Sequence, residues 1–211
     1  MANISELLNS DLGKQIISGI GKQAGTSEKE TVSVINAAAP ILMGMLQKNA
    51  SSEQGASGIL GALSKHDGSI LDNLSGFLSA GDTADGNGIL GHILGSKKDT
   101  IESAISEKTG VSSGNTSKII ALLAPIIMGY LGKESKGKNV NNGGGLGDLL
   151  GGLMGGNSSS SSSVGGNILS SLLDQDGDGK LGVNDVITAI AGNKKKSGGL
   201  GGLLGGLFGK K

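Results

Sequence analysis

Apolar residues recur at spacings of three and four over most of the first 133 positions, and no run alternates singly for the length of a strand. Val32, Ile35, Ala39, Leu42, Met43 and Leu46 make one helical stripe, and the pair Ser27 and Glu30 ahead of it has the spacing of a capping box. Ile70, Leu71, Leu74, Phe77 and Leu78 make a second stripe, while Gly58–Gly61 and Gly88–Gly91 repeat the pattern Gly-Ile-Leu-Gly. Turn-forming residues separate these pieces at His66–Ser69 and from Gly81 through Gly88. Together these elements predict an all-α domain over residues 1–133.

That domain is internally duplicated. Residues 16–48 align without a gap onto 101–133: Gly25, Ser27, Thr31, Ile35, Ala39, Pro40, Ile41, Met43, Gly44, Leu46 and Lys48 recur as Gly110, Ser112, Thr116, Ile120, Ala124, Pro125, Ile126, Met128, Gly129, Leu131 and Lys133. A register held this long, with both prolines of the chain at equivalent sites, marks a duplication. Proline inside a helical pattern removes one backbone donor and disfavours helical geometry in the residue before it, so each long helix is expected to kink or split at Pro40 and Pro125. Small residues there (Ala37, Ala38, Ala39; Ala121, Ala124) would let the two bent helices cross closely, either as ordinary packing or around a ligand.

The stretches Ala38–Gly44 (A-A-P-I-L-M-G) and Leu123–Gly129 (L-A-P-I-I-M-G), with K-H-D-G-S-I-L-D-N-L at 65–74 and G-I-L-G-H-I-L-G at 88–95, resemble the YidB-like bacterial family of unknown function. The resemblance covers nearly all of the first 133 residues. It implies a compact all-helical bacterial domain and supplies no reaction or catalytic residues.

Composition narrows the function classes. The 211 residues include 41 Gly, three aromatics (Phe77, Tyr130, Phe208) and no Cys or Trp, and 18 acidic side chains balance 18 basic ones. Thiol chemistry and a disulfide framework are excluded, and a neutral chain with so few rings does not suit nucleic acid. The two histidines, His66 and His92, could be paired with Asp67, Asp72 or Asp85, yet their spacing matches no metal or acid/base site, and both read as structural. With no nucleophile elbow, phosphate loop or zinc-type histidine pair, the chain is expected not to be an enzyme. The N-terminal residues lack the basic and apolar regions of a signal peptide, and no uninterrupted apolar run approaches a membrane span of about 18 residues, so a cytoplasmic location is expected, with non-classical export as the alternative.

Beyond residue 133 the character changes. Residues 134–166 are rich in Gly, Asn and Ser and are expected to form a flexible linker. Within them lies Leu146–Met154 (L-G-D-L-L-G-G-L-M), and a near copy, Leu200–Phe208 (L-G-G-L-L-G-G-L-F), lies in a Lys/Gly/Leu tail over 193–211. Both place apolar residues on one helical stripe, but interior glycines cost about 1 kcal/mol each against alanine, so a surface must induce the helix. Three surfaces compete: the protein's own core, a second copy, or an anionic membrane favoured by Lys194, Lys195, Lys196, Lys210 and Lys211.

One segment carries recognisable chemistry. Asp174-Gln-Asp176-Gly-Asp178-Gly179-Lys180-Leu-Gly182-Val-Asn-Asp185 has the spacing of an EF-hand-type calcium loop. Asp174, Asp176 and Asp178 occupy positions 1, 3 and 5, Gly179 permits the sharp turn, Lys180 offers its backbone carbonyl, and water would fill the corner at Gly182. Asp185 stands where the bidentate Glu is usual; this resembles the dockerin form of the loop and points to weak affinity. Apolar faces before it (Ile168, Leu169, Leu172, Leu173) and after it (Val186, Ile187, Ile190) define a helix-loop-helix module over 167–192. Dockerins carry two such loops and this chain one, so cohesin-type docking is not implied; the plain alternative is a surface turn rich in Asp and Gly. The whole reads as a non-enzymatic calcium-binding helical protein with a binding or assembly role, its partner another protein or itself. Attachment to a membrane surface is the alternative, and an enzyme with an unrecognised site in the helical domain comes third.

Overall fold

A computed structural model describes residues 9–153, which contain nine α-helices and no strand. Helix α1 is Asp11–Ala24, α2 Glu28–Ala50, α3 Glu53–Lys65, α4 Ser69–Asp72, α5 Leu74–Ala80 and α6 Ala84–Leu94; a 3-10 turn, Gly95–Lys97, leads into α7 Lys98–Thr109, followed by α8 Ser113–Gly137 and α9 Gly143–Leu153. The all-α expectation therefore holds for the described residues.

The duplication appears as two helical hairpins, α1–α2 and α7–α8. Each first helix ends on a left-handed glycine, Gly25 (φ 71°) or Gly110 (φ 72°), and each second helix starts from a serine N-cap, Ser27 or Ser112. Ser27 and Glu30 form the expected capping box: Glu30 accepts from the Ser27 backbone N–H at 2.9 Å, and Ser27 Oγ accepts from the Glu30 N–H at 3.3 Å. Behind each corner a threonine is fully buried, with its hydroxyl satisfied locally: Thr31 donates to the Ser27 carbonyl at 2.9 Å and Thr116 to the Val111 carbonyl at 3.3 Å.

The bonds from the Ser27 side chain and backbone hold the Glu30 carboxyl below its ordinary range. Because the folded value lies below the unfolded one, this capping contribution is complete above the unfolded value and is lost as pH falls through the folded one. Hydrogen-exchange protection of the Glu30 amide is therefore expected to drop as pH falls below the ordinary glutamate range, while that of core amides in α8 persists.

Helices α2 and α8 pack on each other at the centre, and the shorter helices surround them: α1 and α7 contact both, α6 and α4 lie along α8, and α3 bridges α2 and α8. Leu42, Met43, Leu46, Ile119, Ile120, Leu122 and Leu131 are among the side chains sealed between them. Neither proline splits its helix: Pro40 and Pro125 lie inside continuous helices. Val32, expected on the core face, is only half-buried, and Thr31 and Val34 are buried beside it instead. By length and composition α8 could cross a membrane, and 67% of its apolar window is buried inside this fold.

Two elements differ from the sequence pattern. The stripe from Ile70 to Leu78 is divided into α4 and α5 at Asn73, whose backbone (φ −123°, ψ 42°) is not helical and whose amide side chain folds back over Gly76. The glycine-rich stretch 81–88 is a turn only at its start: Asp82 Oδ1 accepts from the Ala84 N–H at 2.8 Å, and α6 then runs through Gly86 and Gly88.

Candidate functional site

The calcium-loop residues Asp174, Asp176, Asp178, Lys180 and Asp185 lie outside the described residues, as do the 167–192 module and the 193–211 tail. Within residues 9–153, the chemistry-bearing side chains fall at four places.

The first is the corner between α3 and α4. His66 Nε2 stands 3.9 Å from Asp85 Oδ1, beyond hydrogen-bond distance. Asp67 turns away to accept from the Ser69 N–H at 3.1 Å, the first backbone donor of α4. The Ser69 backbone and side-chain bonds, then the charge of Lys136, keep its carboxyl below the usual range. This corner is built by close backbone packing on α8: Gly68 (φ 101°) abuts Gly129 and Lys133, and a β-carbon on Gly132 would fall 1.8 Å from the His66 carbonyl oxygen. His92 is exposed in the last turn of α6, away from any such corner.

The second is a buried charge. Glu102 on α7 is 5% exposed; Ser117 of α8 donates to its Oε2 at 2.5 Å, and Lys98 Nζ lies 2.9 Å from its Oε1. The lysine sits off the hydrogen-bonding direction, so Oε1 has charge compensation without an aligned donor. Apolar periodicity does not mark this group, but the duplicated register does: its equivalent in the first copy is the apolar Ile17. Ser117 also borders a shallow polar cleft with Thr83, Asn87 and Lys118.

The third is the crossing of the proline-bearing helices, where a ligand-binding elbow was one expectation. It encloses a cavity of about 30 Å³ lined by Ile35, Ala39, Met43, Leu123, Ile126 and neighbouring side chains, with no polar surface. A space of that size holds one or two water molecules, and apolar walls leave it dry.

The fourth is the first Gly/Leu segment. Chain expected to be loose linker is instead structured: α8 continues to Gly137, and Gly143–Leu153 forms α9, which packs on α2, α3 and α8. Its four leucines, Leu146, Leu149, Leu150 and Leu153, are all buried, and Asp148 faces out. Burying four leucines contributes roughly 6–12 kcal/mol as an upper bound, against about 1 kcal/mol for each helical glycine relative to alanine. An 11-residue helix with six glycines would not form alone, so the groove induces it.

A family model described as "Bacterial protein of unknown function (DUF937)" matches residues 6–134, more than half of the chain. The chain belongs to this family. No curated protein and no solved structure matched it. The DUF937 match spans both hairpins and everything between them, and it stops at residue 134, before α9 begins at Gly143. Helices α2, α3 and α8 of the DUF937 domain thus form a groove whose cover comes from outside the matched region.

Proposed function

We propose that this DUF937 protein is a non-enzymatic calcium-binding protein with a binding or assembly role, in which the helical domain is a scaffold and calcium orders residues 167–192. The observation that carries this reading is the spacing of Asp174, Asp176, Asp178, Gly179 and Asp185, which brings four carboxylates and a turn-permitting glycine into a dozen residues. Two features of the domain support the scaffold part. His66 and Asp85 are too far apart to act as a hydrogen-bonded pair, and the cavity at the helix crossing has no polar wall with which to orient a substrate. A single loop lacks the paired hand through which calcium sensors open, so the expected response is local ordering, not a global switch.

Calorimetric titration of the full chain with calcium tests this. Saturable heat is expected with a dissociation constant in the weak range, about 10⁻⁴–10⁻³ M, and none for Asp174→Ala. A wild-type chain that gives no heat at millimolar calcium would remove the metal assignment. The membrane-surface alternative now rests on the second Gly/Leu segment and its flanking lysines, because the leucines of the first are turned into the core. Co-sedimentation with anionic vesicles, equal with and without residues 197–211, would eliminate it.

A further inference from the structure

We propose that the groove holding α9 has a second occupant in the same chain, the segment Leu200–Leu207, which competes with Leu146–Leu153 for one binding surface. The two segments are identical at every position except Asp148, which is Gly202 in the second. Asp148 faces solvent, so the four leucines that enter the groove, Leu146, Leu149, Leu150 and Leu153, have like-for-like counterparts in Leu200, Leu203, Leu204 and Leu207. The first helical turn differs only at its first residue: Gly143-Gly144-Gly145 corresponds to Ser197-Gly198-Gly199, and a β-carbon there would sit 3.2 Å from Ala56 Cβ, so the second segment needs a small adjustment at that point. A surface that selects on leucine spacing and burial discriminates between them only through that contact.

Two structural features make α9 replaceable. A β-carbon at Gly147 or Gly151 would meet open space, so neither glycine is required by packing; each only lowers the helix's intrinsic stability and leaves it dependent on docking. The groove walls are family residues of α2, α3 and α8, and α9 is attached to them through the short connection 138–142 alone. The second segment is within reach. Even with residues 167–192 folded compactly, the other 20 of the 46 residues between Leu153 and Leu200 (154–166 and 193–199) can span up to about 66 Å, against a radius of gyration of about 15 Å for a domain of this size. The shorter tether gives α9 the higher effective concentration, so the tail is the minor occupant of the unmodified chain.

The natural chain has no cysteine, so an engineered pair reports occupancy cleanly. A β-carbon at Gly143 would lie 3.2 Å from Ala56 Cβ, which makes Ala56→Cys with Gly143→Cys the reference pair and Ala56→Cys with Ser197→Cys the test pair in the full chain. Oxidation is expected to give an intrachain 56–197 link at low yield. Yield should rise several-fold when Leu149→Asp and Leu150→Asp weaken α9, and fall roughly 30-fold when Gly147→Ala and Gly151→Ala strengthen it. If the aspartate pair unfolds the domain, the alanine pair decides alone. A yield that the alanine pair leaves unchanged overturns the proposal, and so do links found only between two chains, which would assign the groove to a second copy.

Discussion

Gly86→Ala is expected to destabilise the domain by about 3 kcal/mol or more, although alanine is the better helix former. Pro125 has no N–H, so the carbonyl of Ala121, four residues earlier in α8, lacks its helical donor. Gly86 of α6 is buried with its α-carbon pressed against that carbonyl, and a β-carbon would fall 1.7 Å from the oxygen and 2.6 Å from the carbonyl carbon. The obstacle is backbone on both sides, so no rotamer change relieves it, and α6 must lift off α8. Gly88, two residues along the same helix, is exposed with open space at its β-position, so Gly88→Ala is the matched control and should stabilise by up to about 1 kcal/mol. Thermal unfolding distinguishes them: Tm should fall by roughly 10 °C for Gly86→Ala and stay level or rise for Gly88→Ala. Equal behaviour of the two would refute the close-approach account.

Lys98→Met is expected to cost about 2 kcal/mol, and adding Glu102→Ile should recover most of the loss. Removing one partner of a buried ion pair strands the other charge, at a cost of roughly 3–5 kcal/mol when both are fully buried. Here the Lys98 side chain retains 24% exposure, and Ser117 still donates to Glu102, so the expected loss is smaller. Isoleucine is chosen because Ile17 occupies the equivalent site of the first copy, where that face of the helix is apolar and packs against the core. Replacing both charges removes the stranded carboxylate and leaves a side chain that the duplicated architecture already accommodates. A denaturant-based double-mutant cycle measures the coupling; simply additive losses would show that Lys98 and Glu102 do not act as a unit.

The same duplication explains why some features could be read from the chain and others could not. Ser27 and Glu30 act within one helical turn of each other, so a capping box follows from local spacing. Asn73 divides a stripe that looks continuous, because a single residue leaving helical backbone geometry keeps the apolar period intact. Gly86 was grouped with the turn residues around it, and nothing local separates a turn glycine from a helical glycine that must admit a carbonyl from another element. Leu146, Leu149, Leu150 and Leu153 showed the stripe, but a stripe names no partner.

The sequence by itself determined the all-α class and the duplicated register that becomes two equivalent hairpins, since each depends on residues close together in the chain or on a register repeated within it. Tertiary structure alone decided that Gly86 meets the Ala121 carbonyl, that Pro125 is buried while Pro40 is exposed, that Glu102 is sealed against Lys98 and Ser117, and that a glycine-rich segment becomes the covering helix α9. Those outcomes depend on which surfaces meet, and contact between elements distant in the chain leaves no mark in the periodicity of either one.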